Sequence, residues 1–150
     1  MRYCLSTNQT VYASLEDVWD YFASPSNLND LTPPSLNLEI MHGADCAMFQ
    51  GQLIEYRVQF MPFISSLWIT EITHVERKVC FVDEQIIGPY RSWSHEHHFA
   101  VVDHGTRISD KVTYEMPAGP LGDLVHTFWI KRKLEEIFSY RRQKVEAKYS

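Results

Sequence analysis

Cysteine is scarce in this chain. The three that occur, Cys4, Cys46 and Cys80, are odd in number, far apart and form no C-x-x-C. That excludes a disulfide framework or a zinc knuckle, and the three read as reduced structural thiols. Charge is sparse as well. Only 22% of the residues are Asp, Glu, Lys or Arg, with no block of like sign, so disorder is excluded as the main state. Fourteen basic and 19 acidic side chains give a net charge of −5, and no basic stripe precedes the last expected helix. Nucleic acid is therefore not an expected partner. No apolar run approaches the roughly 18 residues of a membrane span. The opening residues, Met1 to Asn8, lack the apolar stretch of a secretory signal, so a cytoplasmic protein is expected. Ser65, Ser66 and Ser139 stand in no G-x-S-x-G, and no Gly-rich phosphate loop occurs, which removes the serine-hydrolase and nucleotide-binding readings.

What remains is ample material for a core: 150 residues, 45% of them apolar and 13% aromatic. Repeats, low-complexity tracts and Gly/Ser linkers are missing, so residues 1–150 are expected to form a single domain. Arg2 to Ala13 reads as extended. Ser14 is the expected N-cap of a two-turn helix whose inner face is Leu15, Val18, Trp19 and Phe22. Ser24-Pro25 starts a second short helix, stopped by Thr32-Pro33-Pro34. Six strands follow. They are Leu36–Ile40, Gln52–Phe60 (ended by Met61-Pro62), Trp68–Thr73, Cys80–Ile87 (closed by Gly88-Pro89), Arg91–Val102 and Arg107–Met116. Leu121 to about Lys148 reads as one long helix. A stripe of His126, Ile130, Leu134, Ile137, Phe138 and Val145 runs along it, and Leu121, Leu124, Val125, Phe128 and Trp129 make its start apolar nearly all round.

The order β-α-α-β6-α is α+β: a curved seven-stranded antiparallel sheet wrapped around a long C-terminal helix. Two short helices cannot cover the concave face, so the last helix must, and an incompletely filled concavity is a pocket. This order resembles the helix-grip fold of the START/SRPBCC superfamily, which includes the birch-pollen-allergen group, lipid-transfer START domains and polyketide cyclases. The resemblance spans nearly the whole chain. It rests on the segments Pro25 to Pro34, Phe81 to Tyr90, Trp93 to Phe99, Asp110 to Pro117 and Ile137 to Arg141, and narrows to a bacterial polyketide-cyclase/dehydrase-like, ligand-binding subgroup. It implies ligand binding or cyclase/dehydrase chemistry, and brings over no catalytic residue.

Strand alternation puts Trp93, His95, His97 and Phe99 on one face, and Ile108, Asp110, Val112 and Tyr114 on the matching face of the next strand. A buried carboxylate must be paired. With the hairpin centred near His104-Gly105, Val102 falls near Arg107, Phe99 near Asp110, and His97 is a diagonal neighbour of Asp110. Three readings of this polar patch stand side by side: a satisfied structural network, ligand recognition, or acid–base catalysis with His97, His95 and Asp110 as candidates. His95-Glu96-His97 is also an H-x-H, for which Asp110 or His74 would have to supply a third ligand, so no metal site and no cofactor are assigned. The inward or outward facing of Asp83, Glu84 and Gln85 is open, because a bulge near Gly88-Pro89 would reset the parity.

The expected function is binding of a hydrophobic or aromatic small molecule, lipid- or polyketide-like, between sheet and last helix. Tyr56, Trp68, Trp93, His95, His97, Asp110, Tyr114 and Phe128 are expected to line the site. The alternative is a cyclase/dehydratase-type enzyme using the same His/Asp groups. A third class is an interaction module, docking a partner chain such as a second copy through the apolar start of the last helix and the loop residues Met48, Phe49, Met61, Phe63 and Ile64.

Overall fold

The structure, a computed structural model, describes residues 1–61 and 63–150. Strand β1 (Arg2–Val11) leads into helix α1 (Leu15–Phe22), where the Ser14 side chain accepts the Asp17 N–H at 3.1 Å, the capping bond expected of that serine. Helix α1 turns Val18, Trp19 and Phe22 inward. Pro25–Asn29 and Pro34–Leu36 are 3-10 turns, too tight and too short for the α-helix expected of the first. The second takes Leu36 out of the expected strand, so β2 is only Glu39–His42. Then come β3 (Leu53–Met61), β4 (Ile64–Glu76), β5 (Cys80–Ile87), β6 (Ser92–Val102) and β7 (Gly105–Glu115). Whether Pro62 ends β3 lies outside the described residues.

The strands form one antiparallel seven-stranded sheet in the order β1-β7-β6-β5-β4-β3-β2. The meander is the expected one, and β1 joins it beside β7. Two register shifts interrupt β4 and β5, between Ile69 and Thr70 and between Ile72 and His74, so the parity of β5 is reset within the strand pair and not at Gly88-Pro89. The β6–β7 hairpin is tighter than expected: Asp103-His104 is its loop and Val102 faces Gly105. His104 takes the left-handed conformation at φ 67°, leaving Gly105 to start the strand. His97 therefore lies directly opposite Asp110, and Phe99 opposite Ile108.

The last helix is not continuous. Helix α2 (Gly119–Val125) passes through one π-helical turn, His126–Ile130, into α3 (Lys131–Tyr149). Together they lie across the concave face, as the sequence pattern requires. Buried apolar side chains collect at two ends of the sheet. Val18, Trp19, Phe22, Phe81, Phe99 and Val145 form one cluster, and Leu36, Trp68, Val112, Tyr114, Leu134 and Phe138 belong to the other. Among the described residues, no helix is long and apolar enough to cross a membrane.

Candidate functional site

Between the two apolar clusters lies a polar one. Inward-facing positions of β5, β6 and β7 contribute Asp83, His95 with His97, and Asp110, all in adjacent rows: Asp83 is paired with His95, and His97 with Asp110. His95 Nε2 is 2.8 Å from Asp110 Oδ1, and His97 Nδ1 is 3.1 Å from the same oxygen. His97 Nε2 is 2.7 Å from Asp83 Oδ2, while His95 Nδ1 stands 4.0 Å from it. The two imidazoles stack at 3.7 Å between centroids, with Phe81 against His97 at 4.1 Å and Phe138 near His95 at 5.5 Å. Arg141 comes down from α3, with Nη2 4.0 Å from Asp110 Oδ1 and its guanidinium over the Phe22 ring.

The electrostatics of this box follow from burial set against pairing. Burial pushes both carboxyls up. The Asp83 carboxyl is nonetheless held below its usual range by the His97 hydrogen bond and the neighbouring imidazole and Arg141 charges. Asp110 is held well below it by Arg141 and by hydrogen bonds from both histidines. Burial pulls both imidazoles down. His95 stays down, helped by the charge on His97, whereas hydrogen bonds to Asp110 and Asp83 lift His97 above the ordinary histidine value. His95 Nε2 shares a hydrogen bond with Asp110 and His97 Nε2 with Asp83, while Arg141 Nη2 donates to His97 Nδ1 at 3.5 Å. The Arg141 charge and the histidine hydrogen bonds together offset the two buried carboxylates.

Asp83, His95 and His97 face a cavity of about 160 Å³ whose other walls are mostly aromatic and aliphatic, with Thr70 and Arg141 among the polar exceptions. Tyr56, Trp68 and Trp93 all line it, with Tyr56 stacked on Trp68 at 5.8 Å and Trp93 edge-on to Trp68 at 5.3 Å. Burial raises the Tyr56 hydroxyl well above its ordinary pKa, so it is a neutral group. The Trp68 indole N–H is buried with no acceptor among the described residues. Ile54, Val58, Leu134 and Phe138 belong to the apolar lining, as does Met48, whose N–H is donated to the Ala23 carbonyl at 2.8 Å.

Three residues expected at the cavity sit elsewhere. Asp110 stands behind the histidines and borders a second hollow between β1, β7 and α3. Tyr114 is buried outside the cavity lining, and its hydroxyl shares a 2.7 Å hydrogen bond with His126 Nε2. Phe128 is 73% exposed. The buried positions of its turn are His126 and Ile130, and a residue midway between them projects from the opposite side. Leu121, Leu124, Val125 and Trp129 are likewise at least 41% exposed, so the apolar start of the helix is largely bare. Met61, Phe63 and Ile64 are exposed too. Asp83 and Arg141 are the residues sequence reasoning did not assign to the site. The first was hidden by the bulged register of β4 and β5; the second stood in the Ile137 to Arg141 segment, two turns beyond Leu134, without being given a place in the site.

No family model matches the sequence. No curated protein matches it either. Solved structures do match over its whole length. The Zhui aromatase/cyclase from a Streptomyces species superposes with a TM-score of 0.75 at 16% identity, covering 97% of this chain and 92% of that one. The ginseng major latex-like protein 151 from Panax ginseng gives 0.72 at 11% identity over 100% and 99%. A Thermus thermophilus protein gives 0.68 at 16% identity over 99% and 100%. At these identities the likeness establishes the fold alone, and that fold is the expected helix-grip fold.

Proposed function

We propose that residues 1–150 act as a single ligand-binding domain that holds a small aromatic molecule in the cavity between sheet and roof helix. The observation that carries this reading is the aromatic-lined cavity itself, with one polar wall and a Trp68 N–H still in need of an acceptor. Its volume is close to that of engineered apolar cavities that take up benzene, roughly 150 Å³. A one-ring compound fits it as it stands, and a two-ring compound fits with modest displacement of Met48 or Phe138. Affinity comes from apolar burial, at about 25 cal/mol per Å² before association costs, and orientation from Trp68 and the Asp83/His95/His97 wall.

Titration with 1-naphthol, followed by tryptophan fluorescence and thermal shift, tests the reading. Saturable binding is expected, perturbing the emission of Trp68 and Trp93, persisting at reduced strength in His97→Ala and falling at least about tenfold in the cavity-filling Val58→Phe. A folded protein with no saturable response, or a Val58→Phe variant that binds as well as the parent, refutes it.

A second reading is favoured by one pair of observations. The fold matches that of an aromatase/cyclase, and neutral His95 leaves its Nδ1 lone pair on the cavity side. In that reading the wall acts as a general base on a carbon acid next to a carbonyl, and turnover is bell-shaped in pH and abolished by His97→Ala.

A further inference from the structure

The two imidazoles of the box are held in complementary ways. His95 Nε2 and His97 Nδ1 both aim at one oxygen, Asp110 Oδ1, at 2.8 and 3.1 Å. An ionised carboxylate only accepts hydrogen bonds, so His95 Nε2 carries the hydrogen, whereas His97 Nδ1 also lies 3.5 Å from Arg141 Nη2, a pure donor. The remaining pair, His95 Nδ1 and His97 Nε2, face Asp83 Oδ2 on the cavity wall. Asp83, His95 and His97 thus bring three potential ligand atoms within 4.8 Å of one another. A carboxylate that takes the far N–H of a histidine fixes its tautomer and makes the near nitrogen more basic, the arrangement that backs most metal-bound histidines. Here Asp110 does so for His95, and Asp110 and Arg141 together flank the far nitrogen of His97.

We propose that Asp83 Oδ2, His95 Nδ1 and His97 Nε2 bind a divalent transition-metal ion, with Asp110 and Arg141 orienting the two imidazoles from behind. Tetrahedral ligands at zinc distances are separated by roughly 3.4 Å. The 2.7 Å and 4.0 Å separations from Asp83 lie either side of that, so side-chain adjustments of under about 1 Å suffice. In the ion's absence the proton on His97 Nε2 occupies the place between that nitrogen and Asp83; binding the ion releases it to solvent. Two imidazoles and one carboxylate suit zinc or ferrous iron, and three protein ligands leave coordination open toward the cavity. With both carboxylates and Arg141 counted, a divalent ion leaves one positive charge inside. A single anionic oxygen on the ion, such as a hydroxide or the phenolate of a cavity ligand, brings the group to neutrality. A second trio, His74, Glu76 and Cys80, is less suited: two of its members are exposed, and burial holds the Cys80 thiol in its protonated form.

The site stands on these side chains alone and can be tested with metal ions and no organic ligand. Chelator-stripped protein is titrated with Zn²⁺, and with Co²⁺ for its visible d–d bands. One ion per chain is expected, with Co²⁺ bands of a low-coordinate nitrogen/oxygen site, unchanged in His74→Ala. Asp83→Asn and His97→Gln should weaken Zn²⁺ binding at least about 100-fold, and Asp110→Asn by roughly 10–100-fold. Circular dichroism confirms that each variant is folded, and His95→Gln replaces any that is not. Folded parent protein without saturable binding, or binding that survives Asp83→Asn and disappears in His74→Ala, overturns the proposal. Naphthol binding by metal-stripped protein is a separate readout, so failure of either idea is visible without the other.

Discussion

At the residue scale, the third buried histidine behaves differently from the pair in the box. His126 lies under the stacked ring of Tyr3 from β1 at 3.5 Å and shares its hydrogen bond with Tyr114 of β7. Burial and the nearby Lys131 charge hold it below the ordinary histidine value, against the opposing pull of Asp123. Its unfolded counterpart titrates near 6.5, so on acidification the unfolded chain takes up the proton first. The fold therefore has its full stability above about pH 6.5 and loses this contribution as the pH falls through the lower folded value. Urea midpoints at pH 7.5 and 5.0 should show a larger drop for the parent than for His126→Gln, which keeps an acceptor for Tyr114 but does not titrate. An equal drop in both would remove His126 as the cause. The inward facing of His95, His97, Asp110 and Tyr114 was legible in the sequence, because period-two alternation needs nothing beyond the strand itself. Asp83 was not legible: its facing depends on which residue of a neighbouring strand is bulged, a property of the pair. Phe128 misled for a related reason, since apolarity on every side of a helix says that something is covered without saying that the helix covers it.

At the scale of elements, the β6–β7 hairpin shows how a single close approach fixes a register. A Cβ built on Gly105 would lie 1.9 Å from the Val11 carbonyl oxygen, where β1 runs past the turn. Gly105→Ala must push two strands apart, and we expect it to cost about 2–3 kcal/mol in chemical denaturation. A cost below about 0.5 kcal/mol would show that the β1 end is free to move aside. That contact joins residues far apart in the chain, which is why turn chemistry near Asp103 to Thr106 could place the hairpin but not its exact register. Strand count, strand order and the roof helix were legible from hydrophobic period and breakers. The π turn at His126–Ile130 was not, because one extra residue in a helix barely disturbs an apolar stripe of this width.

For the whole molecule, stability and capacity are set by the same side chains. Leu134 of α3 is 2% exposed and lines the cavity. Leu134→Ala should lower stability by about 2–5 kcal/mol, because the roof relaxes only in part around the lost atoms. The same change should improve binding of two-ring over one-ring compounds, read as a shift in their relative dissociation constants. A destabilised variant with unchanged preference would mean that the space collapses or that ligands enter elsewhere.

The pairing of β1 with β7 carries a consequence for biosynthesis. Arg2 finds its partner at Glu115, so the first strand leaves the ribosome more than a hundred residues ahead of the strand that completes it. At translation speeds of 5–20 residues per second, that wait is roughly 5–20 s. Throughout it, the nascent chain has one strand with no mate and a meander still growing from the other margin, the interval in which a holding chaperone would find the most to grip.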